Sequence, residues 1–173
     1  MIEPASYSAI ETLREGRKVE IRAQRPQDRD GLTSAVARAS NESLYRRFFG
    51  ARREFSEKEV SFFLDVDFVN HVALVAVDKE GGQPTIVGGG RYVVARPGQA
   101  EVAFAIIDEY QGQGIGAALM RHLAAIARQA GLRELIAEVL SENAAMLKVF
   151  EKSGLEMSTK REGVVVHVSL RFS

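Results

Sequence analysis

The stretch DEYQGQGIGAALM, Asp108 to Met120, puts Gly112, Gly114 and Gly116 at alternate positions and passes straight into helix-favouring residues. A strand, Val102 to Ile107, precedes it, so the chain turns from strand to helix through nearly bare backbone. Amides at a helix start lack intrahelical partners, and their partial charges add to the helix dipole. Glycine lets an anion approach those amides and supplies positive φ where the turn demands it. Three alternating glycines exceed what a tight connection needs, and they predict a phosphate cradle. The run lacks the Gly-Lys-Ser/Thr ending of a P-loop, which argues against nucleoside triphosphate hydrolysis. Gly112, Gly114 and Ala117 satisfy the dinucleotide spacing G-x-G-x-x-G/A, with Glu138 about twenty residues on. The context argues against a dinucleotide site: Asp108 to Gln111 separate the strand from the first glycine, and too little chain follows for a doubly wound domain.

The pattern Gln111-x-x-Gly114-x-Gly116 after a strand resembles the acyl-CoA pyrophosphate loop, Q/R-x-x-G-x-G/A, of the GNAT superfamily of N-acetyltransferases, and the resemblance extends over nearly the whole chain. It implies acetyl transfer from acetyl-CoA to a primary amine, without a metal and without a covalent acyl-enzyme. The cradle would comprise Gln111, Gly112, Gln113, Gly114, Ile115, Gly116 and Ala117. The strand residues Phe104, Ala105 and Ile106 would pair their backbone with the pantetheine arm, and a strand N–H near Ala105 or Ile106 would polarise the thioester carbonyl. The resemblance also implies an asparagine in the next strand-to-helix turn, here Asn143, and seven residues later a tyrosine that protonates the leaving thiolate. That later position is Phe150, so the proton must come from water, another side chain or the amine itself. LREGRKVEIRAQRPQD from Leu13 and ESLYRRFFG from Glu42 look like the catalytic domain of bacterial protein lysine acetyltransferases of the Pat type, which act on acyl-CoA synthetases. In that group a glutamate at the start of the strand before the loop is the base, which here is Glu101.

The chemistry gives such a carboxylate a reason of its own. A lysine amine is protonated at neutral pH and cannot attack a thioester until a base removes its proton, directly or through water. Glu101 ranks first for this role, although a solvated glutamate at a strand end is common. Glu138 ranks second, since a charged residue between Ile136 and Leu140 in so apolar a strand needs a partner or a task. Among the other polar residues, His122 is expected on a solvent-facing side of its helix, and His71 and His167 on a strand surface or satisfied in the core. Arg46 and Arg47 could contact substrate or the 3′-phosphate of CoA, or simply form a solvated face.

Stepping along the chain, residues 1–16 read as an N-terminal extension and 17–173 as the catalytic domain. KVEIRAQ alternates apolar and charged residues as a first strand, followed by a helix from Asp28 to about Ser40 with Leu32 and Val36 inward. NESLYRRFFG continues as helix, and Ser56 with Glu59 forms a capping-box signature opening SEKEVSFFLDV. Phe62, Phe63 and Phe68 there are expected in the core. HVALVAVD, IVGGGRYVVARP and EVAFAII follow as an antiparallel meander, with Gly88, Gly89 and Gly90 marking a bulge or a close backbone approach. Leu119, Leu123, Ile126 and Ala130 recur at helical spacing, ELIAEVL is a strand, SENAAMLKVFEKSG a helix, and VVVHVSLRF a closing strand. This order predicts a single α/β domain with a mixed, mainly antiparallel sheet flanked by helices. The splaying of its two parallel strands is implied by the resemblance.

Composition bounds the partners. The 173 residues carry 23 basic and 23 acidic side chains, so no global field recruits nucleic acid or an anionic membrane. There is no cysteine, which excludes a disulfide framework and a thiolate metal site and fits a reducing cytoplasm. No run approaches the roughly 20 apolar residues that span a bilayer. The expected partners are acetyl-CoA and an amine acceptor, possibly a lysine of an acyl-CoA synthetase. Acetylation of a small amine and non-catalytic acyl-CoA binding are the alternatives. The sequence leaves the oligomeric state open.

Overall fold

Apolar runs with period two or continuous hydrophobicity organise the described residues, 2–38 and 57–173 of this computed structural model, into one eight-stranded sheet. Its strands are β1 (Ser8–Thr12), β2 (Lys18–Ala23), β3 (His71–Asp78), β4 (Thr85–Arg96), β5 (Gln99–Ile106), β6 (Glu134–Leu140), β7 (Glu156–Glu162) and β8 (Val165–Arg171). They lie in the order β1-β2-β3-β4-β5-β6-β8-β7. Every neighbouring pair is antiparallel except β5 and β6. The helices are α1 (Arg29–Arg38), α2 (Glu57–Leu64), α3 (Ile115–Gln129) and α4 (Ala144–Glu151). No described helix is long and apolar enough to cross a membrane.

Strand β3 is buried at every position, its apolar run Val72–Val77 packed in the core and its polar ends, His71 and Asp78, held by hydrogen bonds. Helix α3 lays Leu119, Leu123 and Ile126 on the sheet at helical spacing. The triple glycine of β4 makes that packing close. A Cβ at Gly90 would stand 2.7 Å from the Phe104 ring and 3.1 Å from Leu123 Cδ1. At Gly88 it would stand 3.1 Å from Ile106 Cδ1 and 3.3 Å from Ile115 Cγ2. The register also shifts between Ala76 and Val77, so a bulge and a close approach occur together.

The β5–β6 ladder is short. It pairs Gln99 with Glu134, Ala100 with Leu135 and Glu101 with Ile136, and then ends, although β5 continues to Ile106 and β6 to Leu140. Beyond Glu101 the two parallel strands part, as the resemblance implies.

Two strands differ from expectation. KVEIRAQ forms the second strand, because Ser8–Thr12 adds an earlier one at the sheet edge. EMSTKRE forms β7 at the opposite edge, where only Met157 is even half-buried, so its sequence shows little apolar alternation. The first helix begins at Arg29. Asp28 instead closes a short 3-10 turn, where it accepts the Arg25 N–H at 2.7 Å and pairs with Arg22 at 2.8 Å. The expected helix over NESLYRRFFG, with Arg46 and Arg47, and the Ser56 cap lie outside the described residues, as do the side chains of Val36 and Glu59. Of the three phenylalanines expected inside, Phe63 is buried, Phe68 half-buried and Phe62 exposed, its ring stacked on His71.

A buried polar cluster clamps the end of α2 to the sheet. The Arg91 guanidinium donates to the Phe63 carbonyl at 3.1 Å and to Gln24 Oε1 at 3.0 Å, and lies 2.9 Å from His71 Nε2. Gln24 Nε2 donates to the same carbonyl at 2.8 Å. His71 is thus satisfied in the core. Burial, and then the Arg91 charge, push its pKa from 6.5 down to about 4. The unfolded chain therefore binds a proton that the folded chain refuses between those values, so the clamp's stability is complete above pH 6.5 and fades toward pH 4. Urea unfolding should show this single group removing roughly 3 kcal/mol across that window. His71→Asn, though less stable at neutral pH, should show a flatter dependence; an unchanged slope would refute the assignment.

Candidate functional site

The turn from β5 to α3 is built by its glycines and glutamines. After Ile106 the chain makes a 3-10 turn, Asp108–Tyr110, then reaches Gly112 at φ 79° and Gly114 at φ 99°, both left-handed positions that suit glycine. Gly114 is the N-cap of α3, and the first amide to bond back to it is that of Ala118, at 3.0 Å. The amides of Ile115, Gly116 and Ala117 precede that bond and have no carbonyl of their own helix to meet. Gln111 Nε2 donates to the Ile106 carbonyl and to Asp108 Oδ1, each at 3.3 Å. Gln113 Nε2 donates to the Glu109 carbonyl at 3.3 Å. Both glutamines therefore shape the loop as well as belonging to it.

Gly116 differs from its neighbours. Its φ is not positive, and a Cβ there would meet only Val149 Cγ2 at an ordinary 3.6 Å. Neither conformation nor the packing of a single Cβ requires glycine at 116.

This loop is one wall of a cavity of about 230 Å3. Ile106, Gln111, Gly112, Gly114, Ile115, Gly116, Ala117 and Asn143 line it, joined by Arg14, Tyr110, Lys148 and Lys152, which the sequence reading did not single out. Lys148 and Lys152 stand one helical turn apart in sequence, a signal that was available. Arg14 carried none, because it arrives on the turn between β1 and β2. Asn143 is the N-cap of α4, accepting the Met146 N–H at 3.2 Å. Ala105 is half-buried, whereas Phe104 and Phe150 each expose 1% and pack ring to ring at 6.1 Å. Phe150 is a core residue that does not line this cavity.

A buried carboxylate fixes the loop's approach. Asp78, 3% exposed, accepts from the Tyr110 hydroxyl and from Arg17 Nε at 2.7 Å. Burial opposes its ionisation, but those donors and the Glu80 N–H outweigh it and hold the carboxyl below its ordinary value. Arg14, three residues before Arg17, donates its N–H to the Gln113 carbonyl at 3.2 Å and Nη1 to the Gly112 carbonyl at 3.3 Å.

A second cavity, of about 310 Å3, lies against β6, β8 and β7. The register sets two rows of side chains across it, Ile136–Ser169–Ser158 and Glu138–His167–Lys160. Glu101, only 4% exposed, lines the same cavity, so both carboxylates ranked from the sequence converge on one space. Glu101 also belongs to the last pair of the β5–β6 ladder and so stands where the strands part. The side chain of His167 is 40% exposed and lies 3.7 Å from Glu162. His122 is not solvent-facing. The N-terminal segment covers it, with the Tyr7 hydroxyl at Nδ1 and Glu11 Oε1 2.6 Å from Nε2.

The fold and the glycine-shaped helix start match those of acyl-CoA-dependent N-acetyltransferases. Residues 38–155 match the Acetyltransferase (GNAT) family, and the chain belongs to that family. It is 37% identical over 138 residues to an acetyltransferase of Pseudomonas aeruginosa, covering 79% of this chain and 74% of that one. It is 33% identical over 158 residues to the acetyltransferase Pat of Mycolicibacterium smegmatis, covering 89% of this chain but only 46%, about half, of that one. The crystal structure of the GNAT domain of S. lividans PAT superposes with a TM-score of 0.84 at 35% identity, over 99% of this chain and all of that domain.

Gly116→Ala should leave the thermal midpoint unchanged or raised, because alanine favours helix. Because the acyl-CoA loop pattern accepts alanine at this position, the variant should also leave CoA affinity nearly unchanged in calorimetry, whereas Gly114→Ala, which forces a side chain to φ 99° at the helix start, should weaken CoA binding roughly tenfold or more. Undiminished binding in the Gly114 variant would show that these amides do not hold the ligand.

Proposed function

We propose that this protein transfers an acetyl group from acetyl-CoA to a lysine side chain of a protein, with a lysine of an acyl-CoA synthetase as the leading acceptor. One observation carries the reading. Strand β5 runs from Glu101 in the larger cavity to Ile106 in the glycine-loop cavity, about 17 Å at the usual rise per strand residue. Along that path its ladder to β6 has ended, which frees backbone for an extended ligand.

The residues fit the donor. The glycine-loop cavity offers helix-start amides and three cationic side chains, and among the described residues no carboxylate lines it, which suits a polyanionic nucleotide tail. Bound acetyl-CoA supplies an activated thioester carbonyl. The amides of Ile115, Gly116 and Ala117 hold its diphosphate, and β5 N–H groups near Ala105 or Ile106 orient and polarise that carbonyl. Glu101 accepts the proton of the acceptor ammonium, directly or through a water, and the freed amine attacks without a covalent acyl-enzyme. Phe150 offers no proton to the departing thiolate, which leaves water or the amine's own proton. The lysine acceptor follows from the resemblance to Pat-type protein lysine acetyltransferases, which relatives named Pat accompany, and a cysteine-free chain suits the cytoplasm, where such substrates reside.

Glu101→Gln should fold and bind CoA normally while losing ~10²–10⁴-fold in turnover, measured by labelled acetyl transfer to an acyl-CoA synthetase. Glu138→Gln should lose far less. Near-normal turnover in the Glu101 variant would move the base to Glu138 or solvent, and mass spectrometry finding no acetylated lysine with the wild-type protein would refute the acceptor.

A further inference from the structure

We propose that Arg14, Lys148 and Lys152 form a second anion subsite in the glycine-loop cavity, one that takes a phosphate monoester and so makes the protein select CoA over dephospho-CoA through the 3′-phosphate. The inference rests on the reading that this cavity receives CoA, and it concerns a group distinct from the diphosphate held by the α3 amides.

The charge of the cavity is the first observation. The chain balances 23 basic against 23 acidic side chains, yet Arg14, Lys148 and Lys152 meet in one cavity whose described lining includes no acid. The diphosphate does not need them, because three helix-start amides and the α3 dipole already face that role. A phosphate monoester carries about −1.5 to −2 charges near pH 7 and three strong acceptor oxygens, which suits a cluster of cations better than neutral amides do.

The geometry is the second. Lys148 on α4 and Lys152 at its C-cap lie four residues apart, and both line the cavity. Arg14 reaches the same cavity from the β1–β2 turn, and its contact to the Gly112 carbonyl at 3.3 Å uses one of the five N–H donors of a guanidinium. Arginine is the side chain whose fork matches a phosphate with two parallel hydrogen bonds.

Preorganisation is the third. The turn that carries Arg14 is tied down twice over: the Leu13 N–H bonds the Arg17 carbonyl at 2.7 Å, and Arg17 grips Asp78, which also holds Tyr110 of the loop. The cation is therefore fixed to the phosphate loop before any ligand arrives, and little ordering cost remains for binding.

Calorimetry on the intact protein tests this with CoA and dephospho-CoA as titrants, which differ only in the 3′-phosphate. The wild-type protein should bind CoA roughly ten- to a hundredfold more tightly. Arg14→Ala should lose much of that ratio, with dephospho-CoA affinity nearly unchanged. Because a turn substitution can disturb folding, the exposed pair Lys148→Ala/Lys152→Ala should show the same loss, and melting curves should confirm both variants folded. Equal wild-type affinity for the two titrants, or variants that weaken both equally, would overturn the subsite while leaving the acyl-CoA reading intact. Failure of both titrants to bind would refute that reading itself.

Discussion

Everything functional in this fold depends on a ladder that lasts three residue pairs. Parallel strands cannot be joined by a hairpin and need a crossover, here through α3. A crossover helix begins where its first strand ends, so the parting of β5 from β6 and the exposed amides of α3 are consequences of one topology. The Glu101 carboxylate belongs to the last shared pair, where β5 is still paired on both sides, to Val93 and to Ile136. Beyond Glu101 the β6-facing edge of β5 is open, with the α3 amides at one end and the Glu101 carboxylate at the other. That is why acyl transfer suits this arrangement and a dinucleotide site does not.

The support around the cleft comes from buried polar groups used in place of further apolar packing. Asp78 joins the end of β3, the β1–β2 turn and the entry to the glycine loop through donors on all three. Arg91, buried and with its pKa lowered to about 10 by that burial, joins β4, β2 and the end of α2 through Gln24, His71 and the Phe63 carbonyl. Each cluster ties segments distant in sequence, and each is costly to leave half-satisfied in a low-dielectric interior. Such networks specify a geometry more sharply than an equal volume of methyl groups, which tolerate sliding.

How far the sequence revealed this varies with the range of the interaction. The glycine loop, the β3–β5 meander and α3 were legible because their signals are local: bare backbone before a helical period, apolar runs broken by turns. Glu138 was legible as a charge in an apolar strand and Glu101 only through the resemblance, and both line one cavity. Arg14 was not legible, since nothing within ten residues hints that the turn it occupies will meet the phosphate loop. His122 was misjudged for the same reason: its partners Tyr7 and Glu11 lie more than a hundred residues away in a segment that reads as a tail. Strand β7 was missed because a strand at the end of a sheet needs no apolar face.

That last strand has a consequence for the molecule among its own copies. The sheet ends on one side at β7, a row of backbone donors and acceptors that another strand could extend. EMSTKRE places Lys160 on one face and Arg161 on the other, with Glu156 and Glu162 at its ends, nearly all exposed. A strand docking there would have to bury charge on whichever side it approached, which disfavours edge-to-edge association. The residues that hid β7 from recognition are those that keep an open sheet from growing into a fibre.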